Sequence, residues 1–213
     1  MKAYIFDLDG TLLDSMGVWA DVDIAFLKKR GIDVPEDYAD EITSMGFKEV
    51  ALYTIDRFKL SDSVDDLLKE WVDLAKDAYS NTVMMKPNSK EYLKKLRESG
   101  AKLAIATSSM PVLYEIALRK HDIYDWFDII CNSGEIGSGK SQPDIFMYIS
   151  DKLNIPPQDC VVFEDILIAI KSAKSIGMTV YGVFDEASKS DWEEIKNTAD
   201  GVVYDFKYAP LPI

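Results

Sequence analysis

The residues most able to do chemistry in this sequence are two aspartates that follow a short apolar run. Residues 4–11 read Tyr-Ile-Phe-Asp-Leu-Asp-Gly-Thr, which is typical of a buried strand that ends at a tight turn. Alternate side chains of an extended chain share a face, so Asp7 and Asp9 can address one small volume. Two carboxylates at such close range repel each other, and we expect a cation or a shared proton between them.

A second acidic pair follows another apolar run. Glu164 and Asp165 come directly after Val-Val-Phe at 161–163, where two acids are costly unless they hold a cation. If the two acidic strand ends meet, the basic residue that faces their carboxylates is Lys140. Charge balance then needs a divalent ion with oxygen ligands, and Mg²⁺ fits because it favours a few carboxylates together with water and phosphate.

Hydroxyl groups end a third apolar run. Residues 105–109 read Ile-Ala-Thr-Ser-Ser, and a helical pattern begins at Pro111. Hydroxyls and backbone N–H groups at a strand end and a helix N-terminus suit a phosphate, because the helix dipole and the unpaired donors both favour an anion. The alternative is a helix cap at Ser109 with nothing bound. Lys140 also has two interpretations, a solvated surface charge or part of a site.

The elements that must position these residues follow from the apolar spacing. After Ser15 the spacing is helical through residue 86, and from Pro87 onward helices alternate with apolar strands. A capping box at Ser190-x-x-Glu193 predicts the start of a last short helix. Most strands are wholly apolar, which predicts a parallel sheet covered on both faces. We therefore predict an α/β fold, a doubly wound parallel sheet formed by residues 1–14 and 87–213, with a helical insert at residues 15–86.

The opening stretch resembles a known family. Asp7-x-Asp9-Gly-Thr after an N-terminal strand, continued by Leu-Leu-Asp-Ser at 12–15, is similar to the first motif of haloacid dehalogenase-type phosphatases and phosphomutases. The strand that ends in Thr107 resembles the second motif of that family. The loop around Lys140 resembles the third, with Ser141 where the family usually has proline.

The acidic pair resembles the fourth motif of the family. Family members usually continue with serine and, three residues later, glycine, where this chain has Ile166 and Ala169. The helix that follows the pair is therefore more apolar at its start, and the surroundings of a metal there can differ from those in other members.

The resemblance implies a Rossmann-like core with a helical cap, and phosphoryl transfer with Mg²⁺. It implies that Asp7 attacks phosphorus to form an aspartyl phosphate and that Asp9 is the general acid and base. The implied contacts to the substrate phosphate come from Thr107, Ser108 and Lys140. The implied metal ligands are the Asp7 carboxylate, the Asp9 backbone carbonyl and Asp165, with Glu164 bound directly or through water.

Three functions are compatible with these motifs. The first is a phosphatase acting on a small phosphomonoester such as a sugar phosphate, and the second is a sugar phosphomutase of the β-phosphoglucomutase type. Mutases of that branch carry a histidine where this chain has Trp19 and an arginine where it has Phe47-Lys48-Glu49, which favours hydrolysis. The third is a non-catalytic binding module on the same fold. The specificity loop of the insert is expected at residues 44–49, where Lys48 is either a contact to a substrate anion or a solvated helix-start lysine.

Composition limits the partners. The 213 residues carry a formal net charge of -13, and no stretch concentrates Lys and Arg, so we expect no nucleic-acid or membrane partner. No apolar run reaches the length of a membrane span, and the few residues before Asp7 are too short for a signal-peptide core. We expect a cytoplasmic protein with two reduced, buried cysteines, Cys131 and Cys160. The sequence does not indicate an oligomeric state.

Overall fold

The computed structural model describes residues 2–42, 47–137 and 139–211. Its main feature is a parallel sheet of six strands, and the apolar runs seen in the sequence supply them. They are β1 (Ala3–Phe6), β4 (Lys102–Thr107), β5 (Ile129–Asn132), β6 (Cys160–Glu164), β7 (Thr179–Val183) and β8 (Gly201–Val203). Every residue of β1 and β6 is buried, as expected for central strands covered on both faces.

The strand order is β5-β4-β1-β6-β7-β8. The chain leaves β1 towards β4 and β5, then returns to the other side of β1 to form β6, so the order reverses at β1. Phe6 pairs with Ile105 on one side and with Phe163 on the other. The carboxyl end of β1 is therefore the topological switch point, where ligands of such sheets bind.

Two small strands form a separate ribbon next to the sheet. They are β2 (Leu13–Asp14) and β3 (Met84–Met85), which pair antiparallel with Leu13 opposite Met85. The chain divides into two compact units at this ribbon, Met1–Met16 with Val83–Ile213 as the first unit and Gly17–Thr82 as the second. Both strands of the ribbon belong to the first unit.

The helices of the first unit cover the sheet. They are α5 (Ser89–Glu98), α6 (Pro111–Lys120), α7 (Ser133–Ile136), α8 (Asp144–Leu153), α9 (Leu167–Ser175) and α10 (Trp192–Thr198). One face of the sheet packs aliphatic residues such as Ile5 and Val162 against α8 and α9. The opposite face carries aromatic residues, among them Phe6, which stacks on Phe163 with ring centroids 4.9 Å apart.

The described residues of the second unit include four helices. Its helices are α1 (Val18–Lys29), α2 (Tyr38–Ile42), α3 (Phe47–Phe58) and α4 (Val64–Asn81). Phe26 of α1 meets Trp71 of α4 edge to face, with ring centroids 5.6 Å apart. Ser63 caps α4 by accepting a hydrogen bond from the backbone N–H of Asp66 at 3.2 Å.

The predicted fold, a doubly wound parallel sheet with a helical insertion, is confirmed. Both cysteines are free and buried, as expected, and burial raises the pKa of each thiol to about 11. The prediction of a capping box at Ser190 is wrong. Ser190 lies inside a 3-10 helix, Glu186–Asp191, which runs directly into α10, so the backbone at Ser190 is already helical and cannot take the cap conformation.

Candidate active site

Three carboxylates converge at the switch point. Asp7 follows β1, Glu164 ends β6, and Asp165 comes next, and one oxygen from each lies within 4.8 Å of the others. The two neighbouring strands are held in register there, since the backbone N–H of Asp7 donates to the carbonyl of Phe163 at 2.9 Å. All three side chains are buried, with Asp7 the most exposed at 5%. Such a group of like charges needs a positive partner.

Lys140 supplies one positive charge. Its ammonium group donates to Asp7 Oδ1 and to Glu164 Oε2, the latter at 2.8 Å, and the residue is buried. Burial alone would lower the pKa of Lys140, but the charges of Asp7 and Glu164 outweigh it and raise that pKa overall. An ammonium has three N–H donors, so one donor remains for a further acceptor in the site.

A single lysine does not balance three carboxylates. Burial, followed by the charge of Glu164, raises the pKa of Asp7 well above its usual range and that of Asp165 to about 7. Asp165 Oδ2 is buried and accepts no hydrogen bond. That oxygen lies against Gly10, at φ +84°, where a Cβ atom would collide with it. An unpartnered carboxylate oxygen in an all-oxygen site fits a divalent cation such as Mg²⁺.

Glu164 is bonded through both of its oxygens. Oε2 accepts from Lys140, and Oε1 accepts from the backbone N–H groups of Asp165 and Ile166 at 3.2 and 3.1 Å. Its carboxylate therefore holds both the turn into α9 and the ammonium group of Lys140. Thr11 Oγ1 donates to Asp165 Oδ1 at 3.0 Å, a contact that sequence reasoning missed although Thr11 lies in the opening motif.

Asp9 lies on the turn that follows β1. Its Oδ1 accepts a hydrogen bond from Ser15 Oγ at 2.6 Å, and the residue is half-buried. The turn itself is closed by backbone bonds, among them Gly10 N–H to the carbonyl of Leu13 at 2.9 Å. These bonds fix the position of Asp9, which comes two residues after Asp7 in the chain.

The hydroxyl groups predicted to bind phosphate lie at the end of the adjacent strand. Thr107 ends β4, and its Oγ1 accepts from the backbone N–H of Ser109 at 2.9 Å, which leaves the hydroxyl proton free to be donated. Ser108 Oγ lies 3.0 Å from Ser133 Oγ. Because Phe6 pairs with Ile105, Thr107 comes one residue past the level of Asp7 at the same edge.

Lys48, the candidate contact to a substrate anion, belongs to the second unit. It is exposed, near the start of α3 in the second unit. Of the predicted specificity loop, residues 44–46 lie outside the described residues. The structure thus gathers Asp7, Lys140, Glu164 and Asp165 into one buried cluster at the sheet edge that also carries Asp9 and Thr107.

Comparison with known proteins identifies the family of the chain. The family profile of the haloacid dehalogenase-like hydrolases matches residues 4–183. The chain belongs to this family. Residues 4–183 of this haloacid dehalogenase-like hydrolase include both acidic pairs, Thr107 and Lys140.

Two curated relatives of this haloacid dehalogenase-like hydrolase are named phosphatases. A phosphorylated carbohydrates phosphatase from Thermotoga maritima is 28% identical over 184 residues, which is 86% of this chain and 85% of the relative. A phosphoglycolate phosphatase from Nitrosospira multiformis is 26% identical over 188 residues, 86% of this chain and 83% of the relative.

A solved structure gives the same result for the fold. The haloacid dehalogenase hydrolase of family IA, variant 3, from Entamoeba histolytica superimposes with a TM-score of 0.78 at 25% identity, covering 99% of this chain and 96% of that one. Within residues 2–42, 47–137 and 139–211 of this haloacid dehalogenase-like hydrolase, no helix combines the length and the apolar character needed to cross a bilayer.

Proposed function

We propose that the protein is a Mg²⁺-dependent phosphatase that hydrolyses a small phosphomonoester through an aspartyl-phosphate intermediate. The observation that carries the proposal is the position of Lys140, whose ammonium bonds both Asp7 and Glu164 while Asp165 keeps an unpartnered oxygen beside them. A buried lysine between carboxylates gains nothing for packing, but it offsets the repulsion between a carboxylate nucleophile and an anionic substrate.

The first half-reaction transfers the phosphoryl group to Asp7. A carboxylate oxygen of Asp7 attacks phosphorus, the bond from phosphorus to the ester oxygen breaks, and Asp9 donates a proton to the departing alkoxide. Lys140 directs its remaining N–H towards the phosphoryl oxygens. Thr107 and Ser108 donate their hydroxyl protons to the same oxygens, so the charge is shared among fixed donors.

The second half-reaction restores Asp7. Asp9, now a carboxylate, takes a proton from a water molecule. The oxygen of that water attacks phosphorus, and the bond from phosphorus to Asp7 breaks. Inorganic phosphate leaves, and Asp9 is again protonated for the next turnover. Ser15 supports both steps by holding Asp9 Oδ1 at 2.6 Å.

The metal ion would be held by Asp7, Asp165 and the backbone carbonyl of Asp9. Glu164, whose two oxygens already accept hydrogen bonds, fits a bond to the ion through water better than a direct one. When bound, Mg²⁺ neutralises negative charge on the substrate phosphoryl group and on the carboxylates around it.

Hydrolysis is favoured over mutase chemistry. The indole of Trp19, which stands where mutases of this branch carry a histidine, packs edge to face against Phe47 at 5.2 Å between ring centroids and offers no titratable group. We assign residues 15–86 the role of the cap that selects the substrate, with Lys48 a candidate contact to a substrate anion. The named activities of the relatives point to phosphorylated carbohydrates or phosphoglycolate as the compound class to test first.

A panel of phosphomonoesters assayed with Mg²⁺ tests the proposal. We expect release of inorganic phosphate from at least one sugar phosphate or phosphoglycolate, and loss of about a thousand-fold or more in kcat for Asp7→Asn, because the nucleophile is removed. Asp151→Asn, a change of the same kind on the exposed surface, should keep full activity. An Asp7→Asn variant that retains most of its turnover contradicts covalent catalysis. Conversion of glucose 1-phosphate to glucose 6-phosphate in preference to phosphate release would favour the mutase.

A further inference from the structure

Asn132 connects two loops of the candidate site. It is the last residue of β5 and pairs with Thr107 in the register of β4 and β5. Its side-chain Nδ2 donates to the carbonyl oxygen of Ser109, and its Oδ1 accepts from the backbone N–H of Gly134 at 2.7 Å. One buried amide thus holds the loop after Thr107 on one side and the start of α7 on the other.

The chemistry of these two partners admits one arrangement of the amide. A carbonyl oxygen can only accept, and a backbone N–H can only donate, so the side chain must present a donor to Ser109 and an acceptor to Gly134. Asparagine does both. Aspartate keeps the acceptor but would set a carboxylate oxygen against the Ser109 carbonyl, where the two acceptors repel.

The next residue makes a second link to the same loop. Ser133 Oγ lies 3.0 Å from Ser108 Oγ, and both are hydroxyls. If Ser133 donates to Ser108, the Ser108 proton must be directed elsewhere, since a hydroxyl has a single proton to donate. The Ser108 proton can then be donated to an acceptor bound at the end of β4. Thr107 also has a proton to donate there.

We propose that Asn132 and Ser133 are positioning residues that fix the Thr107–Ser109 loop for a phosphate group. The inference rests on the proposed function, in which Thr107 and Ser108 bind the substrate phosphate. Asn132 does not touch the phosphate in this scheme. It acts through the Ser109 carbonyl and the Gly134 N–H, so one side chain fixes the loop after Thr107 relative to the start of α7.

The test compares Asn132→Asp and Ser133→Ala with Asn81→Asp. Asn81 is an exposed asparagine whose Nδ2 also donates to an oxygen acceptor, the carboxylate Oδ1 of Asp77 at 2.9 Å, so Asn81→Asp makes the same amide-to-acid change away from the site. For each variant with Mg²⁺ present, four quantities are measured. They are the melting temperature, kcat and KM for p-nitrophenyl phosphate, and the dissociation constant of inorganic phosphate by calorimetry.

We expect Asn132→Asp to raise KM and the phosphate dissociation constant by about ten-fold or more, with a smaller change in kcat. Ser133→Ala should raise both constants less, by about three-fold, and Asn81→Asp should change neither. A purely structural role predicts a different result, a lower melting temperature with an unchanged phosphate constant for the folded protein.

The outcomes separate the two proposals. A wild-type protein that hydrolyses phosphomonoesters and binds phosphate, with both site variants unchanged in their phosphate constants, overturns the positioning role and leaves the phosphatase in place. If Asn132→Asp fails to fold, Ser133→Ala decides, and an unchanged phosphate constant in that variant also overturns the inference. A wild-type protein that neither turns over any phosphomonoester nor binds phosphate overturns the proposed function and the positioning role with it.

Discussion

The ammonium group of Lys86 lies 2.5 Å from Asp185 Oδ2, and the two residues are 99 positions apart in the chain. Lys86 directly follows β3, and its backbone N–H also donates to the carbonyl of Leu12 at 2.8 Å. Asp185 comes just after β7, at the carboxyl edge of the sheet. The pair therefore ties the ribbon, and with it the turn that carries Asp9, to the far side of β6.

Breaking this pair should lower stability strongly. The side chains of Lys86 and Asp185 are 13% and 5% exposed. Lys86→Met therefore leaves a buried carboxylate without its lysine, and Asp185→Asn leaves Lys86 with the exposed carboxylate of Asp14 at 3.9 Å. We expect each single variant to lose about 3–5 kcal/mol in the free energy of unfolding, and the double variant to lose less than the sum. Urea denaturation measures all three. Lys189→Met, at the exposed pair with Glu186, serves as the control and should change little.

Divalent cations should stabilise the protein through Asp165. Its unpartnered Oδ2 is buried beside Asp7 and Glu164, so a bound cation relieves repulsion that the folded state otherwise keeps. With Mg²⁺ at about a hundred times its dissociation constant, we expect the free energy of unfolding to rise by about 2.7 kcal/mol. Asp165→Asn should remove this rise, and addition of EDTA should reverse it in the wild type. If Mg²⁺ raised the free energy of unfolding of Asp165→Asn as much as that of the exposed control Asp151→Asn, Asp165 would be excluded as a ligand.

Arg30 should be important for the stability of the second unit. Its guanidinium donates to Asp62 and Glu70, at 2.5 and 2.8 Å for the shortest contacts, and lies over the ring of Phe26 at 3.6 Å. A lysine offers one ammonium and cannot reproduce this fork. We expect Arg30→Lys to lose about 1–3 kcal/mol, with faster hydrogen exchange in α1 and α4. Arg97→Lys, on the exposed surface of α5, is the matched control, and equal losses in both variants would refute a specific role for the fork.

Asp23 should make stability depend on pH. Burial raises its pKa from 3.8 to about 6. Between these values the folded chain keeps a proton that the unfolded chain has lost, so the free energy of unfolding falls as pH rises through this interval. Asp23→Asn should therefore melt at a higher temperature than the wild type at about pH 7.5, with the difference shrinking towards about pH 4. Asp21→Asn, at an exposed residue of α1, is the control for the substitution itself, and a constant difference for Asp23→Asn across this range would contradict the raised pKa.

Much of the fold follows from the lengths of the apolar runs. Each run that ends in Asp7, Thr107 or Glu164 is too short and too apolar for a surface helix, and a buried strand is the structure that satisfies its backbone. Parallel strands bring their carboxyl ends to one edge, which is why residues from distant parts of the sequence could be assigned to one site. Their roles in catalysis stay predictions until the variants above are measured.

Other features of the site could not be read from the sequence. Nothing in Asn132-Ser133-Gly134 distinguishes a loop from the start of α7, because the same residue types favour both turns and caps. The bond from Lys140 to Glu164 depends on the path of the chain between α7 and α8, which local spacing does not encode. The predicted capping box at Ser190 is wrong for a related reason. A capping box is a local pattern, whereas the helical turn that precedes α10 is started by Asp185, whose side chain accepts from the backbone N–H of Ala187.

The pairing of Leu13 with Met85 has a consequence for how such enzymes diversify. The points at which the chain departs from the sheet unit and rejoins it are neighbours, joined by backbone hydrogen bonds. The distance between these two points is set by the ribbon itself and not by the length of the segment that joins them. The segment between these two strands can therefore change in length or sequence while the backbone bonds that close the first unit stay the same.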